Sequence, residues 1–398
     1  MNVLIIGKDS EIFKDGSNHS NDVLSRHCQY SEVLKKQFGD LSNIRILNYS
    51  CKKSQFKKRQ VTAGMIIYPT QSIRRFTFLL DAARILPSLF HGWKPDLITA
   101  QEPWEEGILA WVTARITRAK FLQQLHLDIF SVAWKCEKPI NRLKRLLGGF
   151  ILKRADAVRV VSEGLKYKTL ESLKLPLNKV YSVPVSVELF PSNQLLNKEK
   201  YKENIFPGLS KFPLVLYVGR FYAPKNLQLW VDVAIHILQN RPDVRFLLVG
   251  DGPDFSEIQA RIKASKYSHN FILPGKKNHE KLPEIFSAAD VFLMTSSHEG
   301  FGRVILEAQF SGIPVVSTRC VGPEELIVHG ENGFICTQGD IRELSEAVLK
   351  LLNNSILSSS MGEKSREQAK NKYTREQLVL QLVNLWGSVV NCGRISLK

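Results

Sequence analysis

Met294-Thr295-Ser296-Ser297-His298-Glu299-Gly300-Phe301-Gly302-Arg303-Val304-Ile305-Leu306-Glu307-Ala308 follows an apolar run, Val291 to Met294, that is short and bounded enough to be a buried strand. It passes into Arg303 to Phe310, whose apolar residues recur at helical spacing. A strand therefore ends, turns on two glycines and becomes a helix. The backbone N–H groups of Gly302, Arg303 and Val304 then lie at a helix N-terminus, where unpaired donors and partial positive charge favour a phosphate. Glu299 falls on the loop before the helix and Glu307 in its second turn, so both carboxylates can accept hydrogen bonds from sugar hydroxyls of one ligand. Two such glutamates mean little alone, because charged residues crowd protein surfaces. Their context gives them weight: strand, glycine turn, helix, then Ser311-Gly312-Ile313-Pro314 and a second strand from Val315 to Thr318.

Upstream, the predicted strand Leu214 to Val218 runs into Gly219-Arg220-Phe221-Tyr222-Ala223-Pro224-Lys225-Asn226 and a helix from Leu227 to Leu238. Arg220 and Lys225 can converge there on a diphosphate, the first through its planar fork and the second as a point charge. In isolation such a pair reads as a solvated turn. The strands Arg245 to Val249 and Phe271 to Pro274 end in Gly250-Asp251-Gly252-Pro253 and Gly275-Lys276-Lys277. Together with Glu299 and Glu307 as an E-x7-E pair, these segments resemble the retaining nucleotide-sugar glycosyltransferases of GT-B architecture, in the large family numbered four.

The resemblance implies an α/β protein of two Rossmann-like, doubly wound domains facing a central cleft. Residues 1–186 would bind the acceptor, completed by a helix over 374–398 that returns to them, and residues 187–373 would bind the donor. The implied reaction moves a hexosyl or N-acetylhexosaminyl group from a UDP-, GDP- or ADP-sugar to a saccharide hydroxyl, in polysaccharide, lipopolysaccharide or other glycoconjugate synthesis. Arg220, Lys225 and the helix start at Gly300, Phe301, Gly302 and Arg303 would steady the leaving diphosphate, with Glu299 on the sugar and Glu307 on the ribose. Gly250, Gly252 and Gly275 would let backbone approach the nucleotide. No cofactor or metal is implied, and the sequence has no Asp-x-Asp.

In the first half, Val3 to Ile6, Ile44 to Leu47, Asp96 to Ala100 and Phe121 to Leu125 read as parallel strands. Gly7 and Gly16 flank a polar loop where relatives carry a Gly-Gly pair. Phe121 to Leu125 ends at His126-Leu127-Asp128; the resemblance implies that His126 faces donor sugar and acceptor, and the competing reading is a satisfied structural histidine. Asp128 would orient it or hold the acceptor. Arg26, on a helix running to Phe38, faces the cleft or the surface. Pro139 to Arg154 is a basic amphipathic segment interrupted by Gly148-Gly149; it suits an anionic membrane surface or an ordinary core-facing helix.

The 398 residues suit two domains, and 44% hydrophobic with 23% charged residues is a globular composition. No apolar run reaches membrane-spanning length, and a cytoplasmic enzyme, peripheral at the inner membrane face, is expected. Six cysteines without metal spacing read as reduced thiols. The net charge of +17 is uneven: residues 1–200 hold 32 Lys and Arg against 18 Asp and Glu. Solubility, nucleic acid, an anionic membrane or an acidic substrate could each account for that. The run Lys52 to Arg59 holds only Phe56 as an aromatic, which argues against a nucleic-acid-binding module. A same-fold epimerase or phosphorylase is a further rival, as is a catalytically silent nucleotide binder, against which the intact Arg220, Lys225, Glu299 and Glu307 argue. The acceptor would be a saccharide, free or lipid-linked.

Overall fold

Continuous apolar strands need cover on both faces, and in this chain helices supply it on two separate sheets. The computed structural model describes residues 1–13, 22–54, 56–74, 77–187, 198–205 and 207–391, so Gly16 and the last residues of 374–398 lie outside the described residues. The first sheet contains β1 (Asn2–Gly7), β2 (Asn43–Asn48), β3 (Arg59–Thr62), β4 (Met65–Pro69), β5 (Leu97–Ala100), β6 (Lys120–Leu125), β7 (Ala157–Val160) and β8 (Val180–Ser182). Their order is β3-β4-β2-β1-β5-β6-β7-β8. All neighbours are parallel except the hairpin β3–β4, which the sequence pattern does not announce.

The second sheet is wholly parallel, with β9 (Leu214–Val218), β10 (Arg245–Val249), β11 (Phe271–Gly275), β12 (Val291–Met294), β13 (Val315–Thr318) and β14 (Gly333–Cys336) in the order β11-β10-β9-β12-β13-β14. In each sheet the chain reverses direction beside a central strand, β1 in one and β9 in the other. The C-terminal ends of the strands at such a reversal are where open α/β sheets bind ligands.

The helices in chain order are α1 (Asp22–Phe38), α2 (Phe78–Phe90), α3 (Glu105–Thr117), α4 (Val132–Glu137), α5 (Ile140–Arg154), α6 (Glu163–Leu173), α7 (Lys198–Ile205), α8 (Leu227–Asn240), α9 (Phe255–Ala264), α10 (Leu282–Ala288), α11 (Arg303–Phe310), α12 (Val321–Leu326), α13 (Ile341–Asn353), α14 (Ser355–Lys372) and α15 (Arg375–Asn391). Residues 1–130, 138–186 and 375–398 make one compact unit, and 131–137 with 187–374 make the other. The returning helix α15 belongs to the first unit: its Trp386 is buried edge-on to Tyr30 at 5.5 Å, and Arg375 pairs with Asp22. Residues 131–137, which the sequence reading leaves in the first domain, group instead with the second, where α4 packs on the turn Ala223–Lys225.

The second unit's core is centred on Trp230 of α8. Its ring meets Phe246 at 5.6 Å and Tyr217 at 6.3 Å, and its N–H reaches Leu293 O at 3.0 Å, so the one polar atom of a buried indole is satisfied. Each fully buried side chain of this kind contributes about 1.5–3 kcal/mol. That core holds β9, β10 and β12 in register and so fixes where their loops emerge.

Candidate active site

Three loops of the second unit are tied together by main chain. After β9, Gly219 N–H reaches Val249 O at 3.0 Å and Phe221 N–H reaches Asp251 O at 2.9 Å; after β10, Gly250 N–H reaches Gly275 O at 3.1 Å. Gly250 (φ +152°) and Gly252 (φ +157°) cannot carry side chains, since a Cβ would fall 1.8 Å from Gly219 O and 2.1 Å from Phe221 O respectively. The β9 loop is bonded as closely to the end of β12. Ser297 N–H donates to Pro224 O at 2.9 Å, and the Thr295 hydroxyl donates to Lys225 O and Asn226 O, both at 3.0 Å.

This lacing brings the predicted phosphate lysine onto the predicted sugar glutamate: Lys225 Nζ donates to Glu299 Oε2. Burial alone would pull the ammonium's pKa down. The neighbouring Glu299 and Tyr222, with the hydrogen bond, outweigh it and hold Lys225 above its ordinary value. An ammonium has three donors, so a bond to Glu299 leaves capacity for phosphate oxygens. Tyr222 is half-buried and its hydroxyl pKa is raised, chiefly by burial. The exposed Arg220 guanidinium lies over that ring, 5.5 Å from its centre. Cys320 packs on the same loop, its thiol pushed up to about 12 by burial and then by Glu299.

Gly302 takes a left-handed backbone (φ +94°) and its carbonyl accepts from Ile305 N–H at 2.9 Å, opening α11. Gly300, Phe301 and Gly302 are buried, Arg303 is half-buried, and Glu307 is buried in the second turn. The Glu299 carbonyl is held by Gly322 N–H at 3.0 Å, and Phe301 packs edge-on to Tyr373 at 5.7 Å. The loop is thus fixed from behind by α12 and by the residues ending α14.

In the first unit, His126 follows β6, half-buried, and lines a hollow of about 30 Å³ with Arg26, Gln101, Gln124 and Arg159. Arg26 is buried, and its guanidinium goes to Asp22 at 3.4 Å and Ser186 O at 3.5 Å. Asp128 is buried, accepting from Lys168 at 2.9 Å and Phe130 N–H at 3.0 Å. At the reversal beside β1, Lys8 Nζ meets Glu105 at 2.8 Å and Glu106 at 3.1 Å. Glu102 is pushed up to about 8, by burial and then by Glu106.

Comparison with known proteins fits these strand-end loops. The model "Glycosyl transferases group 1" matches residues 200–368 and "Glycosyl transferase 4-like domain" matches residues 58–185. The chain belongs to the group 1 glycosyltransferases. It is 29% identical over 276 residues to N-acetyl-alpha-D-glucosaminyl L-malate synthase of Bacillus anthracis, covering 69% of each chain. It is 25% identical to the capsular polysaccharide biosynthesis glycosyltransferase CapM of Staphylococcus aureus, covering 75% of this chain and 78% of that one. In fold, it aligns with sucrose-phosphate synthase from Thermosynechococcus elongatus at TM-score 0.81 and 19% identity, covering 98% and 99% of the two chains. Anabaena HepE in complex with UDP-glucose gives TM-score 0.74 at 18% identity, covering 98% and 100%. These neighbours share the two-domain GT-B fold.

Sequence reasoning misses two charged residues near these strand-end loops. Glu137, on the short helix α4, lies 3.8 Å from His298 Nε2, next to Glu299. One turn of helix carries no periodicity that could have flagged it. Arg159, at the third position of an otherwise apolar strand, is buried; it donates to Val183 O and Pro184 O at 2.8 Å and to Gln124 Oε1 at 2.5 Å. Burial lowers its pKa to about 10. A lone charge inside the run Ala157–Val160 is the signal that could have found it.

Proposed function

We propose that this chain moves a hexosyl or N-acetylhexosaminyl group from a nucleotide diphosphate sugar to a saccharide hydroxyl, with retention at the anomeric carbon and without a metal. The observation that carries this reading is the Lys225–Glu299 contact at the strand-to-helix turn, which sets a cation for the leaving diphosphate beside a carboxylate for the sugar. Negative charge grows on the diphosphate as the bond breaks, and Arg220, Lys225 and the first N–H groups of α11 oppose it from fixed positions. Glu299 accepts from sugar hydroxyls and Glu307 from the ribose, while Gly250, Gly252 and Gly275 admit the nucleotide to main chain. The acceptor enters at the strand ends of the first unit, at His126. Among UDP-, GDP- and ADP-sugars, the solved complex of HepE with UDP-glucose favours UDP-sugars. The setting is glycoconjugate synthesis on the cytoplasmic side, with a free or lipid-linked acceptor.

Titration calorimetry with UDP, GDP and ADP, followed by proton NMR of the glycoside formed, tests this. A product with the donor's anomeric configuration, made equally well in chelator, is expected. An inverted product, or conversion of the donor without any acceptor, would replace the reading with an inverting transferase or an epimerase.

A further inference from the structure

A core-facing amphipathic helix turns its apolar stripe inward; α5 buries part of its apolar surface and also turns a stripe outward. It runs unbroken through Gly148 and Gly149, which belong to its buried side with Asn141, Ile151 and Leu152. The glycines let the helix close on its neighbours: a Cβ at Gly148 would sit 3.1 Å from Ile129 Cδ1, and one at Gly149 3.1 Å from Leu173 Cδ2. Leu143, Leu146 and Phe150 share the opposite face. They are 61%, 72% and 41% exposed. The neighbouring helix α3 extends the patch with Val112 and Ile116, one turn apart and both exposed. Phe150 meets Trp111 of α3 edge-on at 5.7 Å, and the Arg154 guanidinium lies across both rings. Single exposed apolar residues are ordinary, whereas a stripe continued across two helices marks a contact surface.

The charge around the stripe points to the partner. α5 carries Arg142, Lys144, Arg145, Lys153 and Arg154 and no acidic residue. Behind the Trp111–Phe150 contact, Arg115, Arg118, Lys120 and Arg154 surround a hollow of about 300 Å³. The one carboxylate in its lining, Asp156, is held by Lys120 at 3.5 Å and by Phe121 N–H at 2.8 Å. We propose that this face of α3 and α5 docks on an anionic lipid bilayer, Leu143, Leu146, Phe150 and Ile116 entering the acyl boundary while the flanking arginines and lysines engage headgroup phosphates. An apolar stripe edged by cations on both sides is the pattern of a helix lying in a membrane interface. No exposed acid of α5 is present to pair with a basic rim on a protein partner.

The helix also begins beside the mouth of its own unit. Trp104, following Gln101-Glu102-Pro103 after β5, donates from its indole to Lys144 O at 3.1 Å, and Lys144 Nζ lies 4.5 Å from that ring's centre. A bilayer on α5 would therefore lie near the strand ends of the first unit. If the transferase reading holds, a lipid-linked acceptor is within reach there. Docking itself does not depend on that reading.

Co-sedimentation of the full chain with vesicles tests docking without any enzymatic readout. The chain should pellet with equal parts phosphatidylglycerol and phosphatidylcholine, and stay in the supernatant with phosphatidylcholine alone. Leu143→Ser with Leu146→Ser, both exposed and outside the sites, should lower partitioning about tenfold or more. Arg142→Gln with Lys153→Gln should lower it about fivefold for each charge removed. Melting curves should be unchanged in both. The proposal is overturned if the wild-type chain ignores anionic vesicles, or if the serine variant pellets equally well. It is likewise overturned if the stripe proves to be a self-association surface, seen as a wild-type dimer in sedimentation velocity that the serine variant abolishes.

Discussion

At the strand ends of the second unit, glycine main chain packs directly on main chain; at those of the first, charged side chains add a large share of the contacts. Around β9, glycine backbones pass within contact of neighbouring carbonyls, and the loops exchange N–H to carbonyl bonds. Around β1, by contrast, Lys8 is shared between Glu105 and Glu106 and Glu102 Oε2 is buried without a hydrogen-bond partner, and on β7 Arg159 spans three acceptors. A main-chain cradle tolerates little change of residue type and suits a constant ligand part such as a diphosphate. Side-chain clusters can be rebuilt residue by residue, which suits an acceptor.

The largest expected effect breaks this comparison at its strongest point. Lys225→Ala removes the half-buried cation and leaves Glu299 without its partner, so turnover should fall about a hundredfold to a thousandfold. Lys225→Arg should recover little, because a planar fork does not fit where an ammonium sat. Lys8→Ala should leave donor affinity, measured by calorimetry, unchanged. If it weakens the donor as much as Lys225→Ala does, the division of labour between the units is wrong.

Next comes the cradle itself. Gly250→Ala drives a methyl into Gly219 O, a backbone atom that cannot swing aside. The cost should be about 3 kcal/mol or more, read from urea unfolding of the full chain. Gly39→Ala in the first unit meets nothing within 4 Å and has only its φ of +91° against it, so about 1 kcal/mol is expected. Similar losses at the two positions would mean that the close approach of the β9 and β10 loops is not what holds the second unit's site.

The same contrast explains what could be read in advance. Strand, glycine turn and helix around Glu299 were legible because a backbone requirement leaves a fixed residue type at a fixed place, as at Gly302. Five of the second sheet's six strands follow from apolar runs and their spacing, the sixth, Gly333–Cys336, does not, and the return of α15 is what the family resemblance implies. The hairpin β3–β4 was not legible, because its four residues Arg59–Thr62 form an edge strand that is only partly covered. Nor was α4, whose single turn places Trp134 and Glu137 in the second unit by packing alone. The stripe of α5 was visible, but which way it faced was not. Periodicity gives the stripe, and only Gly148 and Gly149 packed on the buried side give its direction.

The smallest expected effect concerns Glu102, and its sign follows from linkage. Its folded value of about 8 lies above the ordinary 4.5, so between those limits the native chain keeps a proton that the unfolded chain has released. Stability contributed by this group is full below pH 4.5, declines as pH rises through that window, and is lost above about 8. Glu102→Gln keeps the shape of the neutral acid and removes the titration. The variant should therefore match the wild type near pH 5 and exceed it by about 2 kcal/mol near pH 8, after relaxation around the buried carboxylate softens the full shift. Urea unfolding at several pH values reads this difference. A gap that stays flat with pH would mean that Lys8 keeps Glu102 ionised in the native state. The strand ends of the first unit would then be an ordinary ion-pair cluster, with no neutral acid buried among its charges.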